Sequence, residues 1–202
     1  MAPQGEIIAT EIDLDACRRH PMAKLLRHDI LTDPLPPGNF DVVHVRLLLG
    51  HLAPEGREAV RARLAGALAV GGVLIVEEFE ATWRTSALDA PDLDKADRLF
   101  AAYHDAFQAT LRDSGNDLNW GRRAHGALRG LGLEIETNGH TTSWVGGQAG
   151  CRLPRATLGV IRDRLVAAGM SPADIDALRA LLLDPKLVVK GNLALSHIGR
   201  SV

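Results

Sequence analysis

The chain has 202 residues, of which 46% are hydrophobic and 24% charged, and its formal net charge is -2. This composition is typical of a globular protein with a sizeable core, and it argues against disorder and against the basic surface that nucleic-acid binding requires. Two distant cysteines, Cys17 and Cys151, exclude a disulfide framework and a CxxC metal site. With no apolar run of ~18 residues and no signal-peptide pattern, we expect a cytoplasmic protein without a membrane span or a metal ion.

The first part of the chain alternates apolar runs with helical patterns. Buried strands are predicted at residues 6–12, 25–28, 40–45 and 73–76. A short helix is predicted at 15–23 and a longer one at 54–68, which we expect the pair Gly71-Gly72 to end in left-handed conformation. This order of strands and helices is the α/β pattern with a parallel sheet.

Helical patterns dominate after Glu80. The first is an apolar stripe made by Leu93, Ala96, Phe100, Tyr103, Phe107 and Leu111. Further helices are predicted at 122–131, at 153–168, and after Ser171-Pro172, a helix cap followed by a first-turn proline. Strands are predicted at 133–137, 187–189 and 193–195. We expect one domain over residues 1–202, with residues 81–125 as a helical insertion or lid.

Acidic residues follow three of the predicted strands, namely Glu11, Asp29 and the pair Glu77-Glu78. In open α/β sheets, ligands bind in the crevice beyond the carboxyl ends of the strands. A single acid after a strand is more often a cap or a turn residue. Three of them in one strand–helix run indicate a site that holds a ribose or an adenine.

Residues 25–36 (LLRHDILTDPLP), followed by residues 40–44 (FDVVH), resemble the middle of a class I S-adenosylmethionine-dependent methyltransferase. The resemblance covers nearly the whole chain, although Val70 stands where the family's Leu-x-Pro-Gly-Gly turn has proline. It implies an α/β fold with a Rossmann-like, mostly parallel sheet whose last strand, near Leu193 to Arg200, is antiparallel. It also implies that the cofactor is S-adenosylmethionine.

The resemblance further implies which residues hold the nucleoside part of the cofactor. The acid that clasps the ribose hydroxyls would be Glu11, next to Ile12, with Asp13 as the alternative. The acid that meets the adenine amino group would be Asp29, and Ile30 would pack on the adenine ring.

The methionine end and the methyl group would be lined by His44, Val45 and Arg46, according to the same resemblance. We expect Glu11 and Asp29 to face one crevice, with Val45 across it.

The family's first strand and its Gly-x-Gly loop have no counterpart between Met1 and Glu11. That strand normally lies between the second and the fourth, so a truncated chain without it would have a sheet opened at its centre and marginal stability. Residues 1–5 read like the exit of a helix. We therefore expect the gene to continue upstream in frame, with a strand, a Gly-x-Gly loop and a helix that runs into Ala2.

Two functions remain open. The first is methyl transfer to a small organic acceptor, impaired in a chain that lacks the loop; the second is a non-catalytic, degenerate relative that acts as a binding or interaction protein. We expect a small-molecule partner rather than nucleic acid or a membrane, and we leave a homodimer open. No catalytic residue is assigned, although His51, His104 and the acids at 77, 78 and 80 are candidate bases. The side chains that could line an acceptor pocket are Trp83, Tyr103, His104, Trp120, His140 and Trp144.

Overall fold

The structure, a computed structural model, describes residues 5–17 and 20–201. Its strands are β1 Ile7–Glu11, β2 Ala23–Arg27, β3 Phe40–Arg46, β4 Leu68–Phe79, β5 Ser86–Asp89, β6 Glu134–His140, β7 Ser143–Val145, β8 Val188–Lys190 and β9 Ala194–Arg200. Its α-helices are α1 Pro54–Gly66, α2 Leu93–Asp113, α3 Trp120–Arg129, α4 Ala149–Val160, α5 Arg162–Ala167 and α6 Pro172–Leu181. Two 3-10 turns lie at Leu14–Ala16 and Leu49–His51.

The main sheet is formed in two pieces. Strands β1 and β2 pair in parallel, and the other piece has the order β3-β4-β9-β6, with β3 and β4 parallel and β9 antiparallel to both of its neighbours. Among the described residues no backbone pairing joins β1 to β3. The sheet of β3 therefore does not include β1 and β2, and its strand β9 is antiparallel, as predicted for the last strand. A gap left by a first strand stays a prediction.

The first hydrophobic core lies on one face of β4, under α1 and α3. Side chains along β4 alternate, so Leu74 and Val76 point into this core, where they pack with Val60, Leu64 and Leu128. Glu78 follows with the same spacing of two residues and is also buried, with 5% of its surface exposed. Because alternate residues of a strand point to the same face, the Glu78 carboxyl group lies at the edge of this core.

A second core is formed by the later part of the chain. It joins α2, α4, α5 and α6 with the antiparallel sheet β5-β8-β7. Phe100 and Tyr103, from the predicted stripe of α2, are buried in it, and Ser171 caps α6 by accepting a hydrogen bond from the Asp174 N–H. The division of residues 81–125 into an insertion stays a prediction.

Three predicted elements differ from the observed ones. The helix at 54–68 ends at Gly66 rather than at Gly71-Gly72, because Leu68 already begins β4. Gly71 has the expected left-handed conformation, with a φ of 75°, but it lies inside that strand. A Cβ on Gly72 would lie 2.8 Å from the Phe40 carbonyl oxygen, so Gly72 allows a close strand contact, and the pair is not a helix cap. The helix predicted at 153–168 is divided into α4 and α5 at Ile161.

The predicted helix at 15–23 includes residues 18 and 19, which lie outside the described residues. In the described part of that range, a 3-10 turn ends at Ala16 and β2 begins at Ala23. The helix exit expected at the start of the chain also falls mainly outside the described residues. Within the part of the chain that the structure describes, none of the helices combines the length and hydropathy needed to cross a bilayer.

Two glycines of α3 provide a test of how this helix packs. A Cβ at buried Gly121 would lie 2.8 Å from the Phe79 carbonyl oxygen, whereas a Cβ at Gly126 would meet no atom within 4 Å. We expect Gly121→Ala to lower the free energy of unfolding by about 1–3 kcal/mol, because backbone must move. Gly126→Ala should be neutral or stabilising by up to about 1 kcal/mol, since alanine favours the helix. Urea unfolding of both variants measures this; equal effects would contradict the packing described.

Candidate active site

A cavity of about 240 Å³ lies beyond the carboxyl ends of the parallel strands β3 and β4. Leu47, Gly50 and His51, which follow β3, form one side, and the end of β4 from Glu78 onwards forms another. Side chains of α2, α3 and α4 complete the wall. Because the carboxyl ends of parallel strands are where α/β sheets bind ligands, this cavity is the candidate site.

Aromatic side chains dominate the wall, so we name this site the aromatic cavity. It is lined by Phe79, Trp83, Phe100, Tyr103, Phe107, Trp120 and Trp144. Of the six side chains predicted for an acceptor pocket, five line it and His140 does not. Phe100 and Phe107 were assigned only to the helix stripe, yet they flank Tyr103 by three and four residues and share its face of α2.

The turn after β3 is held by Glu78. Its Oε1 accepts hydrogen bonds from the backbone N–H groups of Leu48, Leu49 and Gly50, at 3.2, 2.8 and 3.3 Å. Burial raises the pKa of the Glu78 carboxyl, and these three donors act against that rise. Its other oxygen, Oε2, makes no hydrogen bond with the described residues, and the side chain lines the cavity.

Arg57 of α1 holds the same turn through its carbonyl groups. This buried side chain donates from Nε to the Leu49 carbonyl and from Nη2 to the Leu52 carbonyl, each at 2.7 Å. Its Nη1 donates to Asp117 at 2.7 Å, and Arg123 donates to the same carboxylate oxygen. The turn at the mouth of β3 is therefore fixed by one buried anion and one buried cation.

Two histidines predicted as candidate bases, His51 and His104, line the cavity. The Thr85 N–H donates to Nε2 of His104 at 2.8 Å, so the proton of the neutral ring is on Nδ1. Burial, helped by the charges of Arg84 and Lys190, lowers the pKa of His104 to about 4. The ring is therefore neutral near pH 7.

The predicted nucleoside residues lie at the carboxyl ends of β1 and β2, which are adjacent and parallel. Oε1 of Glu11 accepts hydrogen bonds from the N–H groups of Ile12 and Asp13, at 2.8 and 3.3 Å, and Oδ1 of Asp29 accepts one from the Leu31 N–H at 2.9 Å. The second carboxylate oxygen of each has no hydrogen-bond partner among the described residues. Ile12 is exposed, whereas Ile30 packs against the first core.

The predicted methionine-end residues belong to β3, in the other piece of the sheet. Val45 packs against the first core, so its side chain does not line the cavity. His44 points to the opposite face, where its Nε2 lies 2.9 Å from Oε2 of Glu77, and Arg46 lies on that face too. Hydrogen bonds from Ser196 and His44 lower the pKa of Glu77. A single crevice shared by Glu11, Asp29 and Val45 stays a prediction.

Metal ligation finds no support in the described residues, which contain no group of three or more His, Cys, Asp or Glu side chains placed to hold an ion.

Acid titration tests the neutral state of His104. An unfolded histidine takes up its proton near pH 6.5, and the folded one does so only near pH 4. Stability should therefore fall as the pH drops through this window, by on the order of 2–3 kcal/mol from this side chain. His104→Gln keeps an acceptor for the Thr85 N–H and does not titrate. Urea unfolding from pH 7 to pH 4 should show a smaller loss in the variant; the same slope in both proteins would contradict burial of a neutral His104.

Comparison with solved structures identifies the fold. The chain is similar to a candidate type II methyltransferase from Anaeromyxobacter dehalogenans, with a TM-score of 0.52 and 19% identity over 98% of this chain and 81% of that one. For a SAM dependent methyltransferase from Archaeoglobus fulgidus, the TM-score is 0.48 and the identity is 12%, over 96% of this chain and 75% of that one. For phosphoethanolamine N-methyltransferase 2 from Haemonchus contortus, solved with S-adenosylhomocysteine, the TM-score is 0.45 and the identity is 13%. The similarity covers 90% of this chain and 38% of that enzyme.

No protein-family model matches the sequence, and no curated protein is significantly similar to it. The fold therefore rests on the Anaeromyxobacter structure, together with the sheet order and the antiparallel last strand. The chain has the Rossmann-like fold of the class I S-adenosylmethionine-dependent methyltransferases.

Proposed function

We propose that this chain binds S-adenosylmethionine and transfers its methyl group to a small organic acceptor held in the aromatic cavity. The observation that carries the proposal is the place of this cavity beyond the carboxyl ends of β3 and β4, in a fold that resembles methyltransferases. Ligands of α/β sheets bind in that position. The aromatic wall suits a small apolar acceptor better than a phosphate or a nucleic acid.

The residues at the carboxyl ends of β1 and β2 fit the nucleoside part of the cofactor. The free carboxylate oxygen of Glu11 matches two ribose hydroxyl donors, and that of Asp29 matches the adenine amino group. The N–H groups bonded to their other oxygens fix both side chains. His44 and Arg46 are the proposed neighbours of the methionine end, where a guanidinium would pair with its carboxylate.

The cofactor supplies an electrophilic methyl group on a sulfonium ion. The chain has to hold the acceptor atom in line with that methyl group and exclude water, and positioning of this kind supplies much of the rate of a displacement reaction. The aromatic wall excludes water. Two groups of the cavity can receive a proton from the acceptor, namely His51 and Glu78. The predicted candidate base His104 cannot, because its Nε2 accepts the Thr85 N–H and its Nδ1 already carries a proton.

The separation of the β1-β2 pair from the sheet of β3 favours a second candidate function. Among the described residues, β1 and β3 each pair with one strand only, and the backbone that would wrap the methionine part of a cofactor is not among the elements described. A non-catalytic relative would keep the aromatic cavity as a binding site and would hold the cofactor weakly or not at all.

Titration with S-adenosylhomocysteine decides between the two functions. We expect saturable binding, weakened about 10- to 100-fold in Glu11→Gln and in Asp29→Asn, because each loses a charged hydrogen-bond acceptor. Asp13→Asn is the matched control, since it removes an acid two residues from Glu11. Calorimetry gives the affinities of the unmutated chain and of the three variants. A loss in the Asp13 variant alone would move the ribose contact to that residue, and no binding to the unmutated chain would favour the non-catalytic function.

A further inference from the structure

We infer that the ligand of the aromatic cavity is a small amine on an apolar or aromatic body, bound as its ammonium ion by Oε2 of Glu78. This deepens the proposed function and rests on it, because the amine nitrogen would be the atom that accepts the methyl group. Binding of the amine itself needs only the cavity.

The charges that line the cavity are negative. Glu78, Glu80 and Asp117 line it, and among the described residues no lysine or arginine does. Asp117 is already paired with Arg57 and Arg123. Oε1 of Glu80 accepts hydrogen bonds from the N–H and the hydroxyl of Thr82. Neither Glu78 nor Glu80 is paired with a lysine or an arginine of the described residues, and Glu78 is the buried one of the two. The cationic group that acts on Glu78 is His51, whose charge lowers the pKa of the Glu78 carboxyl.

Two cations near the cavity contact aromatic rings of its wall. The Lys190 ammonium lies 4.2 Å from the centre of the Trp83 ring, and the Arg57 guanidinium lies 4.9 Å from that of Trp120. Neither Lys190 nor Arg57 is part of the lining. These two cations therefore do not belong to the surface that a ligand would contact, although the charge of Lys190 acts on His104 of the lining.

Glu78 presents one bonded and one free oxygen. The side chain is 5% exposed, and its Oε1 is occupied by three backbone donors. Oε2 has no donor from the described residues and lies beside Gly50, which lines the cavity. A buried carboxylate without a counter-ion costs free energy. A hydroxyl ligand would supply one hydrogen bond, whereas an ammonium ion supplies a hydrogen bond and the missing charge.

The remaining wall suits the body of such an amine. Tyr103 and Phe107 stack with their ring centres 5.5 Å apart and 19° between planes, and both line the cavity. Burial raises the pKa of the Tyr103 hydroxyl, and the neighbouring Thr157 acts against that rise. Aromatic faces attract cations as well as apolar groups. The volume of about 240 Å³ limits the ligand to a small molecule.

The transfer step is balanced in atoms and charge when Glu78 accepts the proton of the ammonium ion. The ammonium ion gives one proton to Oε2, which frees the nitrogen lone pair. That pair forms the new bond to the methyl carbon, while the electrons of the carbon–sulfur bond remain on sulfur. The nitrogen takes over the positive charge of the sulfonium, and the products are an N-methylammonium ion and a neutral thioether.

Binding of two ligands of equal shape, 2-phenylethylamine and 2-phenylethanol, tests the inference without cofactor. We expect the amine to bind at least tenfold more tightly than the alcohol at neutral pH. Glu78→Gln should weaken the amine at least tenfold and leave the alcohol unchanged, because glutamine keeps a carbonyl oxygen for the three N–H donors but lacks the charge. Glu134→Gln, on the exposed start of β6, is the charge-matched control and should change neither affinity.

A second variant covers the case in which Glu78→Gln fails to fold. A Cβ at Gly50 would lie 3.4 Å from Oε2 of Glu78, an ordinary contact that covers the free oxygen and leaves Oε1 bonded. Gly50→Ala should therefore also weaken the amine more than the alcohol. Calorimetry of both ligands, with thermal unfolding as the measure of folding, provides the readout.

Three results would overturn the inference: an alcohol affinity equal to or above that of the amine, no amine binding at millimolar concentration, or an amine affinity that neither Glu78→Gln nor Gly50→Ala changes. Binding of S-adenosylhomocysteine is measured separately. If the chain binds the cofactor but prefers the alcohol, the proposed function stands and the inference of an amine ligand is rejected. If the chain binds the amine but not the cofactor, the amine inference stands and the proposed function is rejected.

Discussion

The site depends on the way two buried charges hold one short turn. Glu78 binds the N–H groups at the start of the turn that follows β3, and Arg57 binds the carbonyl groups at its end. The two side chains make no ion pair with each other, so the turn itself connects the anion to the cation. Leu47, just before this turn, has a φ of 51°, which a leucine rarely adopts without such support. The cavity mouth is thus fixed by long-range polar contacts.

Local patterns predicted much of the fold. The apolar runs gave β3 and β4, and the stripe through Phe100 and Tyr103 gave α2, because strand and helix periods depend on neighbouring residues alone. The same stripe and the scattered tryptophans correctly indicated five of the side chains that line the cavity. The family resemblance added the antiparallel last strand, which no local period can provide.

Contacts between distant segments were beyond these patterns. The pair Gly71-Gly72 is typical of a helix end, but it lies inside β4, where the Phe40 backbone packs closely against Gly72. Glu78 was predicted only as an acid after a strand, since its three donors lie 28 to 30 residues earlier in the chain. The break between α4 and α5 at Ile161 comes two residues after Gly159, but the apolar period that predicted one helix continues across it.

The aromatic cavity lies where the two hydrophobic cores meet, with Trp120 from the first core and Tyr103 from the second on its wall. A ligand in it contacts both cores at once. Its binding free energy is then added to the work needed to separate them, in proportion to the logarithm of its concentration over its dissociation constant. A bound acceptor would therefore stabilise the packing of the two cores against each other, and its concentration would determine whether they unfold together or separately.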